Sequence, residues 1–144
     1  MKYEFLISAC LCGTACRYDG LPSTIDELAR LCEQGRAFAV CPEVLGGLSV
    51  PRLPCERLGE RVLSKDGSDV TEPFEAGARK TLELARERGI RLAILKERSP
   101  SCGSGIVYDG TFSGRRIAGQ GVTAALLRAH GFAVVNEDDF YSYI

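Results

Sequence analysis

LAILKERSPSCG, residues 92–103, runs from four apolar residues straight into a polar, turn-rich segment with one cysteine near its end. The apolar run has the length of a strand and no polar face, as expected for a strand covered on both sides. Residues 96–105 then surround Cys102 with Ser99, Pro100, Ser101 and further small residues. That is either a plain surface loop or a loop built around something Cys102 holds. The choice depends on where the other cysteines fall relative to the other strands.

Working outward from LAIL, three more short strands are legible: EFLISA (4–9), AFAV (37–40) and FAVV (132–135). Helices alternate with them. One is signalled near Thr24, where Thr24 and Glu27 suggest a capping box, with Leu28 and Leu31 inward and Gly35 as its stop. A second begins at 71, with Thr71 as a candidate cap and Pro73 in the first turn. Phe74, Ala78, Leu82 and Ala85 follow at helical spacing, and Gly89 ends it. A third spans about Gln120 to His130, with Val122, Ala125, Leu126 and Ala129 expected inward. Between them, residues 41–68 look irregular, with RVLS (61–64) as a candidate extra strand, and IVYDG (106–110) followed by TFSG reads as a hairpin. The alternation predicts an α/β fold: a small Rossmann-like three-layer domain with a mainly parallel sheet, one domain over residues 1–144.

Composition sets limits on function. The chain has 144 residues, 45% hydrophobic and 26% charged, with a formal net charge of −1. That balance gives no general attraction to duplex DNA or an anionic membrane. No apolar run reaches the ~18 residues of a membrane span. The N-terminal stretch, Met1 to Ala9, is too short for a signal peptide and reads as leading into a strand, so a cytoplasmic, reducing compartment is expected.

Seven cysteines stand out against this background, and an odd number cannot all pair internally. In an open parallel sheet, ligands bind beyond the carboxyl ends of the strands. Cys10 follows the first strand, Cys41 the second, and Cys102 lies in the loop after the third. Three loops thus bring a thiol to one edge of the sheet. Cys16 is the rival ligand, close by in the first loop. Cys12 forms a C-x-C pair with Cys10, Cys32 reads as a core residue of the first helix, and Cys55 as a spare thiol. Structural zinc would want paired knuckles or histidines, and the only histidine, His130, sits at a helix end. Three thiolates around a four-iron cluster would instead leave one iron open as a thiophilic Lewis acid. Glu43, two residues past Cys41, is in range to act as acid or base. Ser99 and Ser101 flank Cys102, and Arg17, Arg52, Lys96 and Arg98 are candidates for a cationic rim.

The blocks SACLCGTACRYDG, CPEVLGGLSVPRLPCE, GSDVTEPFEAGA, AILKERSPSCGSGIVYDGTFSG and GQGVTAALL, in this order, resemble the thiouracil desulfidase family from about residue 5 to residue 135. The resemblance implies a small α/β domain with a [4Fe–4S] cluster held by three cysteines. It implies removal of sulfur from thiolated uracil compounds, giving the oxo product and hydrogen sulfide without net redox change. Carried over by block, Cys10, Cys41 and Cys102 are the expected ligands. Glu43 falls at the catalytic acid/base position and Ser101 in the substrate-contacting motif, so Ser101 is expected to be catalytic and to bind substrate with Ser99; Arg52 and Arg17 of the cationic rim are expected to bind it too. Cys12 stands where members often have an apolar residue, and Cys16 also falls in a family motif. Read as the family's core domain alone, the chain is expected to take a free thiolated base, nucleoside or nucleotide rather than thiolated transfer RNA. The competing readings are an iron–sulfur or thiol redox sensor working through Cys10 and Cys12, and a zinc-stabilised module.

Overall fold

FLIS, AFAV and LAIL each form a strand, and Leu6, Ile7, Ile94 and Leu95 are wholly buried. Segments this apolar leave no face for water, so they hide only in a sheet covered on both sides. The computed structural model describes residues 3–144; Met1 and Lys2, the start of the stretch read as leading into a strand, lie outside the described residues. In chain order the elements are β1 (Phe5–Ser8), a 3-10 turn (Ala9–Cys12), α1 (Asp26–Glu33), β2 (Ala37–Val40), α2 (Pro42–Leu45), β3 (Cys55–Leu58), β4 (Arg61–Ser64), α3 (Thr71–Glu87), β5 (Leu92–Leu95), β6 (Ile106–Tyr108), β7 (Arg116–Ala118), α4 (Val122–Ala129), β8 (Ala133–Asn136) and a closing 3-10 turn (Phe140–Tyr143).

The central sheet is parallel throughout, in the order β2-β1-β5-β8. The chain steps from β1 to β2 on one side and then to β5 on the other, so the strand order reverses between β1 and β5. That switch point opens a crevice at the carboxyl edge, where the connections diverge. One face of the sheet packs Ile7 and Ile94 against Leu28 and Leu31 of α1 and against Phe140. The other packs Leu6, Ala93 and Leu95 against Leu82 and Ala85 of α3 and Ala124 and Leu127 of α4. This is the expected three-layer α/β arrangement. Among the described residues, no helix is long and apolar enough to cross a membrane.

Several local expectations are corrected. No capping box forms at Thr24: α1 starts at Asp26, after an extended Ile25, with no side-chain cap. The amides of Ser23 and Ile25 donate to the carbonyls of Cys10 and Leu11, so this segment is held extended against the first turn and the helix must begin later. The inward face of α4 is also shifted. Thr123, Ala124 and Leu127 are buried, whereas Val122, Ala125, Leu126 and Ala129 are not. A helix apolar on nearly every side does not reveal its phase. The last strand runs one residue later than FAVV.

The irregular stretch holds more order than its composition suggests. RVLS is a strand, β4, and pairs antiparallel with β3. β6 and β7 form the second hairpin. Directly after β2 comes α2, a single turn with Pro42 at its start, packed on α3 through two glycines. A Cβ at Gly46 would overlap the Pro73 carbonyl, and one at Gly77 would overlap the Pro42 carbonyl. Only glycine permits this approach, which sets α2, and Glu43 upon it, at the edge of the crevice.

Candidate active site

Cys10 sits in the turn that ends β1. Its carbonyl accepts the amides of Gly13 at 3.4 Å and Ser23 at 2.8 Å, and Gly13 takes a φ of 107° that suits glycine. The chain then loops back to Cys16, whose carbonyl receives Arg52 Nη2 at 3.0 Å and the Cys41 thiol at 3.9 Å. Cys41 occupies the junction between β2 and α2.

Cys102 is held by a small hydrogen-bonded frame. Ser99 Oγ accepts the amides of Ser101 and Cys102 at 3.1 and 3.0 Å. The loop rests on the start of α4: Val122 donates to the Pro100 carbonyl at 2.9 Å, and Thr123 to that of Ser101 at 2.8 Å. Here the glycines are required by space. A Cβ on Gly121 would overlap the Ser101 carbonyl, and one on Gly103 would come within 2.9 Å of the Ser99 and Ile106 oxygens. Beneath the loop, Glu97 Oε1 accepts the amides of Ser104, Gly105 and Ile106 at 2.7, 3.1 and 3.2 Å. Its Oε2 accepts Ser104 Oγ at 3.0 Å and Asn136 Nδ2 at 2.8 Å.

These loops enclose a cleft of about 740 Å³ whose wall includes Cys10, Cys16, Cys41, Cys55 and Cys102. Cys10, Cys16 and Cys41 form a row of interacting thiols, and Cys102 approaches Cys41. Cys16, Cys41 and Cys102 do not give up their protons easily. Cys16 is pushed up to about 11, by Cys10 first and burial next. Cys41 is raised by Cys16 and by burial. Burial pushes Cys102 up to about 12. Thiols packed this way stay protonated until a thiophilic cation takes the place of the protons. Among the described residues, no three Cys, His, Asp or Glu side chains close around one point as the ligands of a single ion do. Thiols spread around a cleft suit a cluster, whose separate metal atoms each take a thiolate of their own. The donor set fits iron–sulfur chemistry better than a lone zinc ion.

Beside the thiols stands Glu43. Its Oε1 accepts Arg52 Nε at 3.0 Å, and its Oε2 accepts Ser99 Oγ at 3.3 Å. The pair is largely enclosed, with 14% of the Glu43 side chain and 8% of the Arg52 side chain exposed. Burial pushes the Glu43 carboxyl above its ordinary value, against the opposing pull of Arg52 and Ser99. A carboxyl balanced between these influences can both take and return a proton.

The cleft gathers Cys10, Cys41, Cys102, Glu43, Ser99, Arg52 and Arg17, as well as Lys96 and Arg98. Arg17 is partly committed, to Asp19 at 2.7 Å and Ser23 Oγ at 3.0 Å, and Lys96 pairs with Glu137 at 2.9 Å. Ser101 has a different geometry from the one expected of a substrate contact. It does not line the cleft, is 1% exposed, and bonds Thr123 Oγ1 at 2.7 Å, behind Cys102. The shifted phase of α4 is the reason, since it turns Thr123 toward this hydroxyl. Cys32 is half-buried and packs against the core cluster around Leu28 and Leu31. His130 lies at the far end of α4 against Arg86, away from the cleft.

Sequence reasoning missed Cys55 and Tyr108 as wall residues. Burial and then the nearby Glu43 charge push Cys55 up to about 11. Neither residue sits at the end of a central strand. Each reaches the cleft because its hairpin folds over the edge of the sheet, which strand-end counting does not register.

The family model for 2-thiouracil desulfurase matches residues 5–139. The uncharacterized protein YbbK of Bacillus subtilis (strain 168) is 44% identical over 144 residues, covering 93% of this chain and 95% of that one. A solved structure described as the [4Fe-4S]-dependent thiouracil desulfidase TudS superposes with a TM-score of 0.94 at 50% identity, covering 98% of this chain and 95% of that one.

Proposed function

The chain belongs to the 2-thiouracil desulfurase family, and on that premise we propose that it is a [4Fe–4S]-dependent desulfidase acting on a small thiolated pyrimidine. The substrate is a 2- or 4-thiouracil compound: the base, its nucleoside or its nucleotide. The reaction is a hydrolysis without net redox change, in which water and the C=S group give C=O and hydrogen sulfide. The observation that carries this reading is the enclosed Glu43 carboxylate in a cleft walled by cysteines from three strand ends.

Cys10, Cys41 and Cys102 would hold the cluster, each from a separate strand end. With three thiolates bound, such a cluster supplies one open, thiophilic iron that polarises the C=S bond. Cys16 is the alternative ligand, since its thiol lies in the row between Cys10 and Cys41. The rest of the chemistry belongs to the chain. Glu43 takes a proton from the attacking water and returns one to the departing sulfur. Arg52 keeps enough carboxylate character in Glu43 for the first task, and burial keeps enough proton affinity for the second. Ser99 orients Glu43 and lines the cleft beside the substrate. Ser101, behind Cys102, shapes the ligand loop. Arg17 and Arg52, both in the cleft wall, would supply positive charge toward an electron-rich substrate.

The test is anaerobic cluster loading followed by sulfide-release assays on 2-thiouracil, 4-thiouracil and their nucleosides and nucleotides. Stoichiometric sulfide and uracil product, with no added reductant consumed, is expected. A loaded protein that binds iron and acid-labile sulfide yet releases nothing from any of these would favour the sensor.

A further inference from the structure

The cleft wall takes in Cys10, Cys16, Cys41, Cys55 and Cys102, which leaves Cys12 and Cys32 outside it. These two lie on neighbouring segments, the Cys10 turn and α1. Cys12 ends the turn that carries Cys10, and its Sγ reaches the Leu28 carbonyl of α1 at 3.8 Å. Leu28 and Cys32 are four residues apart on that helix, so Cys32 lies on the same face one turn further on. The Cys32 amide donates to that same Leu28 carbonyl in the helix, so Cys12 and Cys32 lie side by side where the turn meets α1. Both are half-exposed and rest on the same apolar cluster as Leu28, Leu31 and Phe140.

We propose that Cys12 and Cys32 are an oxidation site: a dithiol that peroxide converts to an internal disulfide, tying the Cys10 turn to α1. The two S–H bonds and the O–O bond of hydrogen peroxide break, one S–S bond forms, and two electrons and two protons pass to the peroxide to give two waters. The bond closes the chain between residues 12 and 32, the segment that carries Cys16 and follows Cys10. The first-strand ligand loop therefore stays formed when oxidant has stripped the cleft of its cluster. Both thiols are satisfied within the pair, so they do not pair wrongly with Cys10 or Cys16. The pairing rests on the placement of the sulfurs alone, whereas the protective role rests on the proposed function.

The experiment treats the cluster-loaded chain with about one equivalent of hydrogen peroxide, caps remaining thiols by alkylation, and maps the peptides. A Cys12–Cys32 link as the main disulfide, with the cleft cysteines capped, is expected. Linkage of either residue chiefly to Cys10 or Cys16, or capped Cys12 and Cys32 beside oxidised cleft thiols, overturns the proposal. The same protocol on Cys32→Ser reads the role. Before peroxide its iron content should equal wild type, and after peroxide it should reload several-fold less iron when no disulfide reductant is added. Equal reloading removes the protective role. If the chain takes up no iron at all, mapping of the iron-free chain still reads the pairing, so the two readings fail separately.

Discussion

Arg52 Nη2 lies 3.0 Å from Glu43 Oε1, while Ser99 Oγ lies 3.3 Å from the other oxygen, so one carboxylate is clamped between a loop arginine and the cysteine loop. The clamp joins residues from the 49–52 turn, α2 and the loop after β5 at a single group. It fixes Glu43 without asking it to hold metal.

Glu43→Gln should therefore keep iron and acid-labile sulfide near wild type and still bind substrate. Turnover should fall by roughly the 10²–10⁴-fold that a positioned acid/base contributes. Iron content and sulfide release are measured on one preparation. Near-normal turnover would remove Glu43 from the mechanism, and loss of the cluster would make it structural.

Serine substitutions at Cys10, Cys41 and Cys102 should each abolish stable cluster loading, because each removes one of the three proposed thiolate ligands. Cys32→Ser should load normally. Iron counted after anaerobic reconstitution decides this. If Cys16→Ser empties the site while one of the three keeps it filled, Cys16 replaces that residue as a ligand.

Glu97 supports the loop from below, and its contribution depends on pH in a defined direction. Burial raises its pKa, but the Gly105 and Ile106 amides, Ser104 and Asn136 outweigh it, and the carboxyl ends below its ordinary value. The folded chain binds this proton less tightly than the unfolded chain. The stabilisation is thus complete above the unfolded value of about 4.3 and drains away as pH falls through the depressed folded value. Glu97→Gln should cost about 1.5–3 kcal/mol at neutral pH, the range for hydrogen bonds to a charged group. Denaturant melts from pH 7 down to about 3 should show the gap to wild type narrowing only on the acid side of that value. A gap that stays constant over this range would assign the loss to packing.

Gly77→Ala pits two effects against each other. In the middle of α3, alanine gains up to about 1 kcal/mol in helix propensity. Its Cβ, however, would overlap the Pro42 carbonyl, and overpacking typically costs about 1–3 kcal/mol. The clash should win, because the obstructing atom is backbone with no rotamer to yield. Net destabilisation is expected, with a drop in turnover larger than the drop in iron content, since α2 carries Glu43. Equilibrium unfolding and sulfide release test both halves, and a stabilised, fully active variant would show that α2 yields freely.

The sequence by itself determined the parallel sheet and the edge at which the chemistry gathers. Short apolar runs such as LAIL can be hidden only in a sheet covered on both faces, and the residues following them then emerge together at the carboxyl edge. Cys10, Cys41 and Cys102 were legible for that reason, as was Glu43 beside one of them. Only the tertiary structure decided which neighbours join them. Cys55 and Tyr108 reach the cleft through hairpins whose fold-back depends on long-range pairing, and Cys16 meets Cys41 through the path of a loop. The turn of α4 that places Thr123 against Ser101, and so draws that serine behind Cys102, is set by packing on a helix whose own pattern is apolar nearly all round. Local periodicity fixes which elements form; the rotation of a helix and the reach of a hairpin are fixed by contacts between residues far apart in the chain.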